Sequence, residues 1–182
     1  MPRSPTFFVN LQIVLACLEK VGDLNLCFLS FLMPSYLDLS NAQLRNLTLI
    51  DIDLCGFTLN KADLSSANLI EANLRGALLR GGNYSDADLS WANLTWSNSS
   101  NAKFTRANLI EADFTGAIMK GSNLRGTNLR GAIFRNLHTF ADTEFSGVKN
   151  PDDHSRLYLC MIASGTHPFT KNDSRQTLGC PI

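Results

Sequence analysis

The chain has 182 residues, with 16 Lys and Arg against 16 Asp and Glu, enough length for one domain with a real core. A neutral chain gives no electrostatic reason to expect DNA, RNA or anionic lipid as partner, and it lacks the acidic excess that a DNA mimic needs. Residues 36–150 hold 11 basic and 11 acidic side chains, so the balance is not the average of two opposed halves.

Residues 1–35 are apolar without clear amphipathic order. Arg3 followed by FFVNLQIVLAC has the charge-then-apolar order of a signal peptide, but Asn10 and Gln12 interrupt it and no A-x-A site follows. VLAC at residues 14–17 faintly resembles a lipoprotein cleavage box. A second apolar run, residues 24–33, is too short to span a bilayer. The segment reads as an export signal or anchor, as a helix capping the first coil, or as an over-extended translation start. Membrane contact is expected only through these residues, if they are retained.

From Leu39 onward a large apolar residue recurs every fifth position, through Leu44, Leu49 and on to Leu129 and Phe134. A helix advances ~100° per residue, so a step of five smears such a residue around the cylinder. A straight strand alternates faces, so an odd step puts successive leucines on opposite sides. The pattern stays on one side only if each pentad contains a corner. Two residues before each centre stands a small residue, most often Ala, as at Ala62, Ala67, Ala72 and Ala77; strand geometry turns both inward. The residue between them faces out and is usually Asp or Asn, and the remaining two are polar or Gly and suit a turn. Twenty consecutive pentads without a gap mean a solenoid.

The motif A-D/N-L-x-x, as in KADLSSANLIEANLRGALLRG and DADLSWANL, resembles the pentapeptide-repeat family. The resemblance implies an all-β fold: a right-handed quadrilateral β-helix of about five coils over residues 36–150, four pentads per coil. Short helical caps are expected at both ends. In that frame the two copies of ANLIEA, beginning at Ala67 and Ala107, lie two coils apart on the same side. Leu49, Leu69, Leu89, Leu109 and Leu129 form one inner column. Ser99 occupies a leucine slot and is expected to leave a small void or hold a water. Leu47, Ile52 and Phe57 replace the small residue, so the first coil is expected to be distorted. Phe145 follows Phe134 by eleven residues, which places one extra residue within NLHTFADTEF.

Residues 151–182 leave the repeat. Asn150 and Pro151, then acids, then Leu157, Leu159, Met161 and Ile162 have the order of a helix start. The ending L-C-x-x-A-S-G-x-H-P…R-x-T-L-G-C resembles that of exported pentapeptide-repeat proteins of cyanobacteria and chloroplasts. That resemblance implies a Cys160–Cys180 disulfide stapling the cap, and the thylakoid lumen or periplasm as compartment, with the cytoplasm as alternative. The remaining cysteines, Cys17, Cys27 and Cys55, form no CxxC pair, and His154, Cys160, His167 and Cys180 match no compact zinc spacing.

No catalytic constellation, cofactor motif or small-molecule site is legible. Asp63, Asp88 and Asp113 stand at the outward repeat position and read as a solvated face. What remains is surface. Trp91 and Trp96 take turn positions on neighbouring sides of one coil, near an outward column of Ile50, Ile70 and Ile110; together they form the candidate partner surface. Lys120, Arg125, Arg130 and Arg135 make a ring of positive charge, one per side. The expected function is a non-enzymatic rigid scaffold or protein-interaction module with an unidentified protein partner and no nucleic acid, the end-to-end homodimer being one arrangement. The alternative is a DNA-mimic protein that binds gyrase, since the family includes such members.

Overall fold

The computed structural model describes residues 38–149, 151, 153–166 and 170–180. The readings of residues 1–35, with Cys17 and Cys27, and of His167 lie outside them. Over residues 38–133 the chain lies against itself at intervals of 20 residues. Parallel bridges join Asp38 to Thr58, Gln43 to Asp63, Thr48 to Asn68 and Asp53 to Asn73, and the series continues one bridge per pentad to Asp113 and Ile133. Four pentads therefore complete one layer. Each pentad ties its layer to the next, as where the Leu69 N–H donates to the Asp88 carbonyl (2.7 Å) and the Glu71 N–H to the Ser90 carbonyl (2.9 Å).

The corner is a type II turn in outline: the Ala72 N–H donates to the Leu69 carbonyl at 3.1 Å, and Glu71 between them has φ 60°. The same left-handed residue recurs in each pentad, as glycine at Gly56, Gly76 and Gly116 but as a bulky side chain at Trp91 (φ 58°) and Trp96 (φ 59°). Among the described residues, the turns ending at Leu47 and Ile52 lack the closing hydrogen bond that Phe57 makes to Leu54. The two oversized residues of the first layer thus open their corners, and the third is accommodated.

The centres and the small positions fill the interior: Leu69, Leu89 and Leu109, with Ala72, Ala92 and Ala112, have no exposed surface. Such columns pack to crystal-like density and tolerate little change in volume. Ser99 is also buried; its hydroxyl donates to the Ile118 carbonyl (3.2 Å), and its own carbonyl accepts from the Ser122 hydroxyl (2.8 Å). Two other centres of that layer, Phe104 and Phe114, have ring centroids 6.0 Å apart, and a chain of ring contacts runs from Tyr84 through both to Phe134, Phe140 and Phe145. Gly82 makes room for the Tyr84 ring, whose carbon lies 2.7 Å from where a Cβ would stand.

The extra residue falls between Ile133 and Thr139, because the bridges lengthen to 21 residues from Ile118 to Thr139 onward. The shift makes Phe140, not singled out in the sequence, a buried centre beside Phe145. Beyond the repeat, helix α1 spans Asp153–Ile162 and a short helix α2 spans Ser174–Thr177. Asp173 caps α2 by accepting from the Gln176 N–H at 2.9 Å. Leu159, Ala163 and Leu178 join the buried cluster, whereas Leu157 and Met161 on α1 are exposed. Cys160 and Cys180 are bonded, with Cα atoms 5.5 Å apart.

Candidate interaction surface

Where the outward residue is Asp or Asn, its side chain holds the corner that follows, Asn108 excepted. The Asp63 carboxylate accepts from the Ser65 N–H (3.1 Å) and hydroxyl (2.7 Å), and Asn93 binds Thr95 in the same way. Asn amides extend the pattern between layers, as from Asn83 to Asp63 (3.2 Å) and from Asn108 to Asp88 (3.2 Å). This corrects the reading of Asp63 as solvated: it is buried and pairs with Arg45 at 2.5 Å. Burial pushes its carboxyl up, but the bonds from Ser65 and Arg45 outweigh that and hold its pKa below the usual value.

Glu144 is more extreme. It occupies the same outward column, yet it has no exposed surface because the C-terminal segment lies over it. Its carboxylate accepts from the Ser146 N–H (2.8 Å), the Asn172 amide (2.7 Å) and the Thr170 hydroxyl. Thr177 accepts from the Phe145 N–H (3.3 Å), and the Asp142 N–H donates to the Ser164 carbonyl (2.8 Å). The buried Glu144 carboxylate and these backbone contacts thus tie the tail to the last layer, while the Cys160–Cys180 bond closes the tail on itself.

The register sorts the outward residues into sides. On one side lie residues 51–55, 71–75, 91–95, 111–115 and 131–135. It carries the carboxylates Asp51, Asp53, Glu71, Glu111 and Asp113 and the Trp91 side chain, 55% exposed. The column Ile50, Ile70 and Ile110 borders it at the corner before Trp91; Ile50 is 48% exposed and the other two are half-buried. The next side holds residues 56–60, 76–80, 96–100, 116–120 and 136–141 and has no carboxylate. Arg80 and Lys120 stand at its far corner, and Arg75 and Arg135 at the corner it shares with the acidic side; all four are exposed.

Trp96 belongs to this second side. Its ring lies across Gly116, where a Cβ would meet ring carbons at 2.7 Å, and its centroid is 5.4 Å from that of His138. The structure therefore groups Trp91 with the isoleucine column and sets Trp96, equally exposed at 54%, on the neighbouring side against Gly116 and His138. Lys120, Arg125, Arg130 and Arg135 occupy equivalent exposed corners of one layer, as the spacing predicts. The segregation of charge by side escaped sequence reasoning, because charge was counted along the chain while each side recurs every 20 residues. Reading every twentieth residue down a column would have found it.

Among the described residues no group of His, Cys, Asp and Glu could hold a metal, and the Cys160–Cys180 bond consumes both sulfurs of the zinc arrangement. Among the described residues, too, no helix is long and apolar enough to cross a membrane.

Eight matches to pentapeptide repeats cover residues 38–81, 58–95, 72–107 and 100–136. The chain belongs to the pentapeptide-repeat family. A pentapeptide-repeat protein of the Arabidopsis thaliana thylakoid lumen is 32% identical, over 84% of this chain and 93% of that one, with a TM-score of 0.30. HetL, a pentapeptide-repeat protein involved in heterocyst differentiation regulation in the cyanobacterium Nostoc, is 31% identical over 63% of this chain and 60% of its own, with a TM-score of 0.31. QnrB1, a plasmid-mediated fluoroquinolone resistance protein, is 16% identical over 56% of this chain and 55% of its own, with a TM-score of 0.43. Membership rests on the repeat matches and not on these superpositions. No curated protein matches the chain.

Proposed function

We propose that the chain is a non-enzymatic, rigid interaction module: a right-handed quadrilateral β-helix of about five coils over residues 36–150, closed at its C-terminal end by residues 151–182. The carrying observation is Trp91 beside the Ile50, Ile70 and Ile110 column. It is a large aromatic group at a corner where glycine stands elsewhere, on a side otherwise lined by charged and polar side chains and bordered by the isoleucines. A bulky residue in the left-handed region costs about 1–2 kcal/mol, and Trp91 makes no ring contact among the described residues that would offset it. Exposed aromatics of this kind anchor protein interfaces.

The setting proposed with it is an oxidising compartment, the thylakoid lumen or the periplasm. The Cys160–Cys180 bond and the tail motif support it, since disulfides persist where thiols are not kept reduced. The lumenal setting of the Arabidopsis protein is that protein's own. The gyrase-binding alternative needs a continuous negative face. The acidic side here has no carboxylate in the layer of Trp91 and is edged by Arg75 and Arg135, which weighs against it.

The test is photo-crosslinking in the native cell from a benzophenone residue at position 50, with a second protein carrying it at position 83 on another side. Adducts specific to position 50 and lost in Trp91→Ala are expected. Equal adducts from both positions, or none, would remove this surface from the reading.

A further inference from the structure

Two outward columns match each other. Down the acidic side run Glu71, Trp91 and Glu111, in successive layers at one corner. Down the far corner of the basic side run Arg80, Ser100 and Lys120, likewise in successive layers. In each column two like charges flank a middle residue, forty positions apart, which at strand spacing is ~10 Å. The middle residue is the largest side chain in one column and a small one in the other. Neither carboxylate and neither cation forms an ion pair within the described chain.

We propose that the occupant of the Trp91 surface is a second copy of this chain, laid side by side. The proposal rests on the reading of that surface as an interface and names its partner. Glu71 and Glu111 of one copy meet Arg80 and Lys120 of the next, and the Trp91 ring seats over Ser100 between two cations, a placement that favours cation–π attraction. With the two rods parallel, the corner that opens the acidic side of one copy faces the corner that closes the basic side of the next, and the three layers match one to one. A contact between different sides of identical copies is heterologous, so it closes into a ring or continues as a lateral array. It differs from end-to-end pairing, which would use neither column.

Sedimentation velocity of the full chain tests this at low and at high salt. Association at low salt that falls as salt rises is expected, because the charges are exposed and screened. Arg80→Glu with Lys120→Glu, and separately Glu71→Lys with Glu111→Lys, should each weaken association well over tenfold. Like charges then face each other. Mixing the two variants in equal amounts should restore association, because each now offers the side the other lacks. All four side chains are exposed and free of hydrogen bonds to their neighbours, so both variants should fold, with an unchanged circular dichroism spectrum as the check. Wild-type protein that stays monomeric at low salt, or reversed variants that associate as wild type does, would overturn the proposal. If the wild type is monomeric while position 50 still crosslinks a different protein, the surface stands and the second copy is excluded.

Discussion

Replacing Glu144 by Gln should loosen the C-terminal segment without unfolding the repeat. Glutamine keeps the volume and one acceptor oxygen but loses the charge and the second acceptor. Two of the three hydrogen bonds to this carboxylate come from the tail, from Thr170 and Asn172. A hydrogen bond to a charged group contributes about 1.5–3 kcal/mol, so the loss in tail docking is expected at about 2–3 kcal/mol. Hydrogen exchange reads it directly: the Ser174 N–H, bonded to the Gly165 carbonyl at 3.1 Å, should exchange about thirtyfold faster or more. The buried Leu89 N–H, bonded to Asn108, should not change. Acidity should act through the same group. Burial pushes the Glu144 carboxyl up, but the bonds from Ser146, Thr170 and Asn172 outweigh it and leave the pKa below the ordinary value. A depressed pKa means that the docking energy is fully present above the ordinary glutamate pKa and is lost as pH falls through the lower folded value. Wild-type tail protection should therefore fall in acid, with a flatter response in Glu144→Gln. Unchanged Ser174 exchange in the variant at neutral pH would refute the reasoning.

Leu89→Ala, in the middle of an unbroken leucine column, should cost about 2–5 kcal/mol in urea unfolding. Ser99→Leu restores the repeat residue but adds volume beside Phe104 and Phe114; a loss of about 1–3 kcal/mol is expected, and a gain would mean a void. Trp91→Gly should leave stability within about 1 kcal/mol, since relief of the left-handed backbone offsets glycine's entropy, and should abolish crosslinking from position 50. Cys160→Ser should cost up to about 3 kcal/mol of thermal stability, an effect that reductant reproduces in the wild type.

The interior was legible because two constraints coincide there. Size alternates in each pentad, and a period of five excludes straight elements, so Leu89 and Ala92 could be placed inside from spacing alone. The extra residue was legible as a broken interval, but Phe140 was not, because that interval locates an insertion only between the flanking centres. Outward residues were harder, since one position has several fates. Asp63 and Asp113 share it, yet only Asp63 meets an arginine from the layer before. Glu144 shares it too and is buried by a tail that the repeat does not govern. The sides were illegible for a different reason: a charge balance taken along the chain averages over four pentads before any side recurs.

The Cys160–Cys180 bond staples the tail to itself and carries the proposed compartment. Its state in the native cell is therefore the most direct measurement: intact mass and thiol labelling of protein taken without reductant. The expected result is Cys55 labelled, with Cys160 and Cys180 protected until reductant is added. Label on all three at once would contradict the stapled tail and move the search for partners to a reducing compartment.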